Sequence, residues 1–352
     1  MTVYSERCPV IVVTGFLGSG KTTLLNRALQ DPALGDAAVL VNEFGAVGLD
    51  HQLLETIDGN TVLLASGCVC CTIRDDLKSA VLELEDKRAR GEIPAFHRVV
   101  IETTGLADPT PVLATFLSDV ALRYRYRPAL VITTVDAVHG LATLDTYAEA
   151  VKQAALADRL VVSKTDLAEP IAIASLCARL TGLNRSALVM HAVMGKLDFG
   201  ALLSGDVYKH AQRDAEVLRW FDAEQAATHA GHHALDRNRH DLDIHTFCVT
   251  VAAPLDWTAF GIWLTMLLHC HGDKVLRVKG LLNVVGVATP VVVNGVQHLV
   301  HPPVHLARWS DEDRHSRIVF IVQGLERAAI EDSLAVFMSL GERPMSDKFG
   351  YS

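Results

Sequence analysis

The chain has 352 residues, half of them hydrophobic and 21% charged, with a formal net charge of −9. That length suits two domains, and the acidic balance argues against nucleic acid as a general partner. The seven cysteines are odd in number and scattered, which excludes a secreted disulfide framework, and no apolar run reaches membrane-spanning length without glycine, proline or charge. Only Met1–Cys8 precede the first apolar run, so no signal peptide fits and the expected location is the cytoplasm, with no membrane partner.

The first predicted element is a buried strand over Val10–Thr14, apolar and β-branched. It runs into Gly15-Phe16-Leu17-Gly18-Ser19-Gly20-Lys21-Thr22, and a helix follows from Thr22 and Thr23. Gly15, Gly18, Ser19 and Gly20 let the loop wrap its N–H groups around phosphate oxygens, beside a helix N-terminus. Lys21 would reach the β- and γ-phosphates and the Thr22 hydroxyl would bind Mg²⁺. A chance match to four fixed positions arises in roughly one chain of this length in a hundred, and the strand-loop-helix context lowers that further.

A second strand, Ala38–Asn42, precedes Glu43; a third, Val62–Ala65, precedes Gly67-Cys68-Val69-Cys70-Cys71. Clustered thiols in a reducing compartment bind metal or do redox chemistry. Thiolates favour Zn²⁺ or Cu⁺, and Cys68, Cys70 and Cys71 leave one tetrahedral position open, which suits transfer. A redox-active vicinal pair and a buried apolar cluster are the alternatives. After a helix over Ile73–Arg88, the strand Arg98–Glu102 ends in a carboxylate that can hold Mg²⁺; Asp50 is a further candidate. Gly105 allows backbone to approach a γ-phosphate. An ordinary strand-end glutamate is the alternative to that role for Glu102.

Further helices are expected over Pro111–Val120, Leu141–Ala155 and Ala168–Leu180, and strands over Ala129–Val135, Arg159–Ser163 and Ala187–His191. The alternation predicts an α/β fold, a parallel sheet with helices on both faces. At the end of Arg159–Ser163 stands Ser163-Lys164-Thr165-Asp166. Asp166 can accept the ring N–H and exocyclic amine of guanine, and the Lys164 stem can lie against the base, which favours GTP over ATP. The usual signature has Asn where this chain has Ser163.

A polar stretch over Gly205–Asp243 reads as a linker with some helix; His229, His232, His233, His240 and His245 either gather metal there or belong to a solvated connection. Beyond it, strands are predicted over Ile244–Val251, Lys274–Leu282, Pro290–Asn294, Val296–His301, His305–Trp309 and Ser316–Val322, with helices over Trp257–His269 and Leu325–Met338. That is a smaller α+β domain with an antiparallel sheet, and Asn294-Gly295 is its expected hairpin turn. The boundaries are then 1–204, 205–243, 244–340 and a tail over 341–352.

Gly15–Thr22, Val41-Asn42-Glu43-Phe44-Gly45, Gly67–Cys71 and Glu102-Thr103-Thr104-Gly105-Leu106-Ala107-Asp108-Pro109 together resemble the CobW-type metal-chaperone GTPases, which are similar to the nickel-handling HypB and UreG proteins. The resemblance covers nearly the whole chain. It implies GTP binding and slow, Mg²⁺-dependent hydrolysis, a metal held by the three cysteines with Glu43 as a further ligand, and delivery of zinc or cobalt to a client metalloprotein or cofactor pathway. Lys21, Thr22 and Glu102 would serve the hydrolysis. A homo-oligomer is compatible with it. Two other classes fit the same residues: a nucleotide-gated activator that carries no metal, and a kinase built on the phosphate loop.

Overall fold

The computed structural model describes residues 4–42, 62–66, 73–208, 216–217, 219–221, 243–310 and 312–341. The chain divides into two compact units, Met1–Asp241 and Leu242–Ser352.

The first unit is built on seven parallel strands: β1 (Cys8–Gly15), β2 (Ala37–Asn42), β3 (Val62–Ser66), β4 (Arg98–Glu102), β5 (Tyr126–Asp136), β6 (Arg159–Ser163) and β7 (Leu188–His191). Their order is β3-β2-β4-β1-β5-β6-β7, so β1 lies between β4 and β5. A sheet covered on both faces buries both sides of each inner strand, which is why these strands read as unbroken runs of Val, Ile and Leu. On one face α1 (Lys21–Leu29) sets Leu24, Leu25 and Ala28 against Ile11, Val13, Val39 and Val100. The other helices are α2 (Ile73–Ala89), α3 (Thr110–Ser118), α4 (Gly140–Thr146), α5 (Ala148–Leu156), α6 (Pro170–Leu183) and the single turn α7 (Phe199–Leu202). Of these, α5 packs on β1 and β5.

The helix expected over Leu141–Ala155 is two helices. Tyr147 interrupts it with extended backbone (φ −119°, ψ 117°), and its ring packs on Phe16 of the phosphate loop, centroids 4.5 Å apart. A contact between distant segments overrides local helix preference there.

Two buried ion pairs were not anticipated. Arg127, near the start of β5, donates twice to Asp206 at 2.8 and 2.7 Å. Arg159, which opens β6, donates twice to Glu216 at 2.9 and 3.0 Å. Both sit at the amino ends of their strands, opposite the phosphate loop. Burial alone would raise the Glu216 carboxyl, but the Arg159 and Arg219 hydrogen bonds outweigh it and bring its pKa to about 2.

The second unit is an antiparallel sheet with two helices on one face. Its strands are β8 (Ile244–Val251), β9 (Val275–Leu282), β10 (Val291–Val296), β11 (Leu299–Val300), β12 (Val304–His305) and β13 (Ser316–Gln323), in the order β11-β10-β9-β13-β8 with β12 also on β10. Helices α8 (Trp257–His271) and α9 (Arg327–Gly341) cover it; Phe260, Trp263, Leu264, Ile330 and Leu334 pack against Phe247, Val278, Ile318 and Phe320. The hairpin turn is not at Asn294-Gly295. Both pair within β10, opposite Lys279 and Val278, and the chain turns at Gln297 and His298, with Gln297 at φ +50°. The strand expected over His305–Trp309 stops after His305.

Candidate functional site

The carboxyl ends of β1, β4, β5 and β6 form the site. Gly15 closes β1, and the loop Phe16–Gly20 turns the chain into α1 at Lys21. Gly20 stands at the N-cap of α1 with φ +90°, a left-handed conformation that favours glycine, and no side chain caps the helix. Its first-turn N–H groups are therefore not used by a capping side chain, as an anion site requires.

Lys21 is buried, and its ammonium donates to the Gly15 and Phe16 carbonyls at 2.9 and 3.1 Å. Burial draws its pKa below the usual lysine value, against the opposing pull of the Glu102 charge. The Thr22 hydroxyl donates to Glu102 Oε1 at 2.7 Å, bridging α1 and the end of β4. Thr23 is exposed on the first turn of α1. After Glu102 the chain makes a turn, closed by the Ala107 N–H on the Thr104 carbonyl at 3.1 Å. A side chain at Gly105 would put its Cβ 2.6 Å from the Leu17 backbone nitrogen. Only glycine lets this turn lie so close to the phosphate loop.

The residues expected to read a base stand at the next strand end. The Ser163 hydroxyl donates to the Ser19 carbonyl at 2.7 Å, so this residue ties the segment after β6 to the phosphate loop. Ser19 in turn shares a 2.7 Å hydrogen bond with Thr134 of β5. Asp166 is exposed. Lys164 adopts φ +55°, and its ammonium pairs with Asp136 Oδ2 at 2.6 Å.

Asp136 was missed from sequence. Burial tends to raise its carboxyl, but the Lys164 hydrogen bond and the Val138 amide outweigh this and hold it below the usual carboxylate range. Its position at a strand end, like that of Glu102, was the available signal. Gln153 was also missed, and an amide beside Lys152 in a helix with other polar residues gave no signal at all. It lines a cavity between the phosphate loop and the α4–α5 pair, together with Phe16, Leu17, Thr134 and Leu144.

Cys68, Cys70, Cys71, Glu43 and Asp50 lie outside the described residues, as do His229, His232, His233 and His240. Among the described residues no group of three or more His, Cys, Asp or Glu side chains is arranged to hold a metal. The sequence neighbours of the cysteines are placed: β3 ends at Ser66, and α2 begins at Ile73. Ser66 pairs with Asn42, one residue beyond the level at which Val41 pairs with Glu102. The cysteine-bearing connection thus leaves the edge of the sheet that carries Glu102, two strand spacings or about 10 Å away.

Comparison with known proteins follows this division of the chain. A family model described as CobW/HypB/UreG, nucleotide-binding domain, matches residues 9–191. A second, described as cobalamin synthesis protein cobW C-terminal domain, matches residues 244–338. The zinc chaperone YjiA of Escherichia coli is 35% identical over 312 residues, 89% of this chain and 93% of its own length. The zinc-regulated GTPase metalloprotein activator 1 of Schizosaccharomyces pombe is 31% identical over 350 residues, 91% of this chain and 83% of its own. The crystal structure of Zn(II)-bound YjiA GTPase superposes with a TM-score of 0.68 at 30% identity, covering 94% of this chain and 99% of that one.

Proposed function

This chain belongs to the CobW/HypB/UreG family and carries the family's nucleotide-binding and C-terminal domains, and on that premise we propose that it is a GTP-hydrolysing metal chaperone. Its cargo is zinc, with cobalt the other candidate, delivered to a client metalloprotein in the cytoplasm. The relatives named above as zinc chaperone and zinc-regulated activator support the choice of cargo. The nucleotide part is taken as 1–204, the connection as 205–243 and the C-terminal part as 244–340.

One observation carries the reading: the 2.7 Å hydrogen bond from Thr22 to Glu102, made beside a turn packed on the phosphate loop. Two oxygen donors held together at the mouth of the loop fit Mg²⁺, a hard cation that takes oxygen ligands. When bound there by Thr22 and Glu102, Mg²⁺ neutralises charge on the phosphates. Lys21 exchanges its two carbonyl partners for phosphate oxygens and stabilises the charge of the transferred group. The loop N–H groups from Gly18 to Thr22 hold the phosphates in place. The Gly105 backbone, close against Leu17, contacts the γ-phosphate, and Asp166 accepts from guanine. Ser163 keeps base and phosphate subsites in register through the Ser19 carbonyl. Cys68, Cys70 and Cys71, with Glu43, are the residues assigned to hold the cargo.

The test is GTP turnover and metal titration on the full-length protein. Lys21→Ala should abolish hydrolysis, and unchanged turnover removes the site. Competitive zinc titration of the GDP and GTP-analogue forms should differ by roughly 5- to 150-fold, the range of a typical coupling. The same titration repeated with Cys68→Ala, Cys70→Ala and Cys71→Ala should show weaker binding. Equal zinc affinity in both nucleotide states, or affinity unchanged by all three substitutions, overturns the chaperone mechanism.

A further inference from the structure

Helix α5 is apolar along its inner face, where Ala150, Val151, Ala154, Ala155 and Leu156 are buried. Among them is one polar side chain, Gln153, only 1% exposed. Burying an amide costs free energy unless its polar groups are hydrogen-bonded, and a leucine or methionine would fill the same volume without that cost. Gln153 directs both amide hydrogens to one turn of the chain. Nε2 donates to the Gly105 carbonyl at 3.2 Å and to the Ala107 carbonyl at 3.0 Å. Two carbonyl partners also fix which end of the amide is nitrogen.

The helix is itself anchored. The Thr133 hydroxyl of β5 donates to the Gln153 carbonyl at 2.9 Å, and the neighbouring Lys152 pairs with Asp108 at 2.7 Å. Asp108 also accepts from the Thr110 N–H at 2.8 Å. The segment that follows Glu102 is therefore gripped from α5 at Gly105, Ala107 and Asp108. Its other side lies against the phosphate loop, since a Cβ at Gly105 would meet Leu17 at 2.6 Å. Any displacement of this turn changes its contact with the phosphate loop.

We propose that Gln153 is a positioning residue for GTP hydrolysis: it holds the Thr104–Ala107 turn against the phosphate loop, in the place where that turn meets the γ-phosphate. Its effect runs through the backbone it grips. The inference rests on the reading of the site as a GTPase. It assigns hydrolysis a dependence on a helix outside the phosphate loop, the Mg²⁺ ligands and the base-reading segment.

The experiment compares the full-length wild type with Gln153→Ala and Gln153→Glu. The readouts are kcat and KM for GTP, the Kd for GDP, the unfolding temperature with GDP bound, and amide hydrogen exchange at residues 104–107 with and without a GTP analogue. Gln153→Ala is expected to lower kcat at least tenfold and to change the GDP Kd less than threefold. Exchange at residues 104–107 should rise at least tenfold, with loss of the protection the analogue gives the wild type. Gln153→Glu should recover turnover relative to wild type as the pH is lowered, because a protonated carboxyl regains one donor to the two carbonyls. The proposal is overturned by kcat within twofold of wild type in Gln153→Ala, or by kcat, GDP affinity and unfolding temperature falling together, which marks a merely structural residue. Absence of GTP turnover in the wild type removes the GTPase reading instead. The exchange measurement still decides on Gln153 in that case, and unchanged exchange in Gln153→Ala overturns its role.

Discussion

At the scale of single residues, the site is held by short contacts between backbone and side chains that sequence spacing does not reveal. Gly105→Ala should lower GTP turnover more than tenfold in a steady-state assay, because the new methyl would stand 2.6 Å from the Leu17 nitrogen and force the turn outward. Ser163→Ala removes one hydroxyl bond to the Ser19 carbonyl. The loss of about 1 kcal/mol should weaken GTP about fivefold in equilibrium titration. Asp166→Ala should cost on the order of 2–4 kcal/mol in GTP affinity and leave ATP binding nearly unchanged; equal binding of both nucleotides by the wild type would contradict the guanine reading. The positions of the phosphate loop, of Glu102 and of Ser163–Asp166 at strand ends were legible because each is local, a few residues at fixed spacing beside an apolar strand. Gln153 was not legible, since its importance lies in two carbonyls more than forty residues away. Ser163 was half legible: its departure from Asn was plain, but its bond to Ser19 depends on the packing of β6 beside β5.

At the scale of elements, periodicity found every strand of the parallel sheet, and its errors have physical causes. Apolar continuity ran through Tyr147, but the ring contact with Phe16 breaks the helix there. In the antiparallel sheet, Asn294-Gly295 has the composition of a hairpin turn. Gly295 instead supports close approach inside β10, where a Cβ would stand 3.3 Å from the Leu299 carbonyl oxygen and 3.4 Å from Leu268. The core that α8 and α9 press onto this sheet centres on aromatic side chains. Trp263 is 2% exposed, and its indole N–H donates to Ser333 at 3.0 Å. Trp263→Ala should destabilise the C-terminal unit by about 3–5 kcal/mol, read by chemical denaturation of the full chain. A change below 1 kcal/mol would show that this core does not carry the unit's stability.

At the scale of the whole molecule, the Arg127–Asp206 and Arg159–Glu216 pairs fasten the chain beyond the last parallel strand back to the sheet's amino edge. The folded-state pKa of Glu216, about 2, lies below its ordinary value of 4.5. A depressed carboxylate contributes stability that is fully present above about pH 4.5 and is lost as the pH falls towards 2. The contribution is on the order of 3 kcal/mol. Glu216→Gln should flatten the acid limb of the stability profile measured by urea denaturation between pH 5 and 3. A wild-type-like acid limb in that variant would remove the assignment. Neither pair was visible in sequence: each joins a strand-opening arginine to a carboxylate in a polar stretch with no periodic pattern.

The central position of β1 bears on how the molecule is made. Strand β1 has no sequence neighbour beside it; its partners β4 and β5 arrive about 90 and about 120 residues later. At roughly 5–20 residues per second, β1 waits several seconds or more with two unpaired edges, carrying a phosphate loop that cannot yet be supported from either side. Such distant pairings also make refolding slow. During synthesis β1 therefore presents two unpaired edges to other strands until β4 and β5 have emerged.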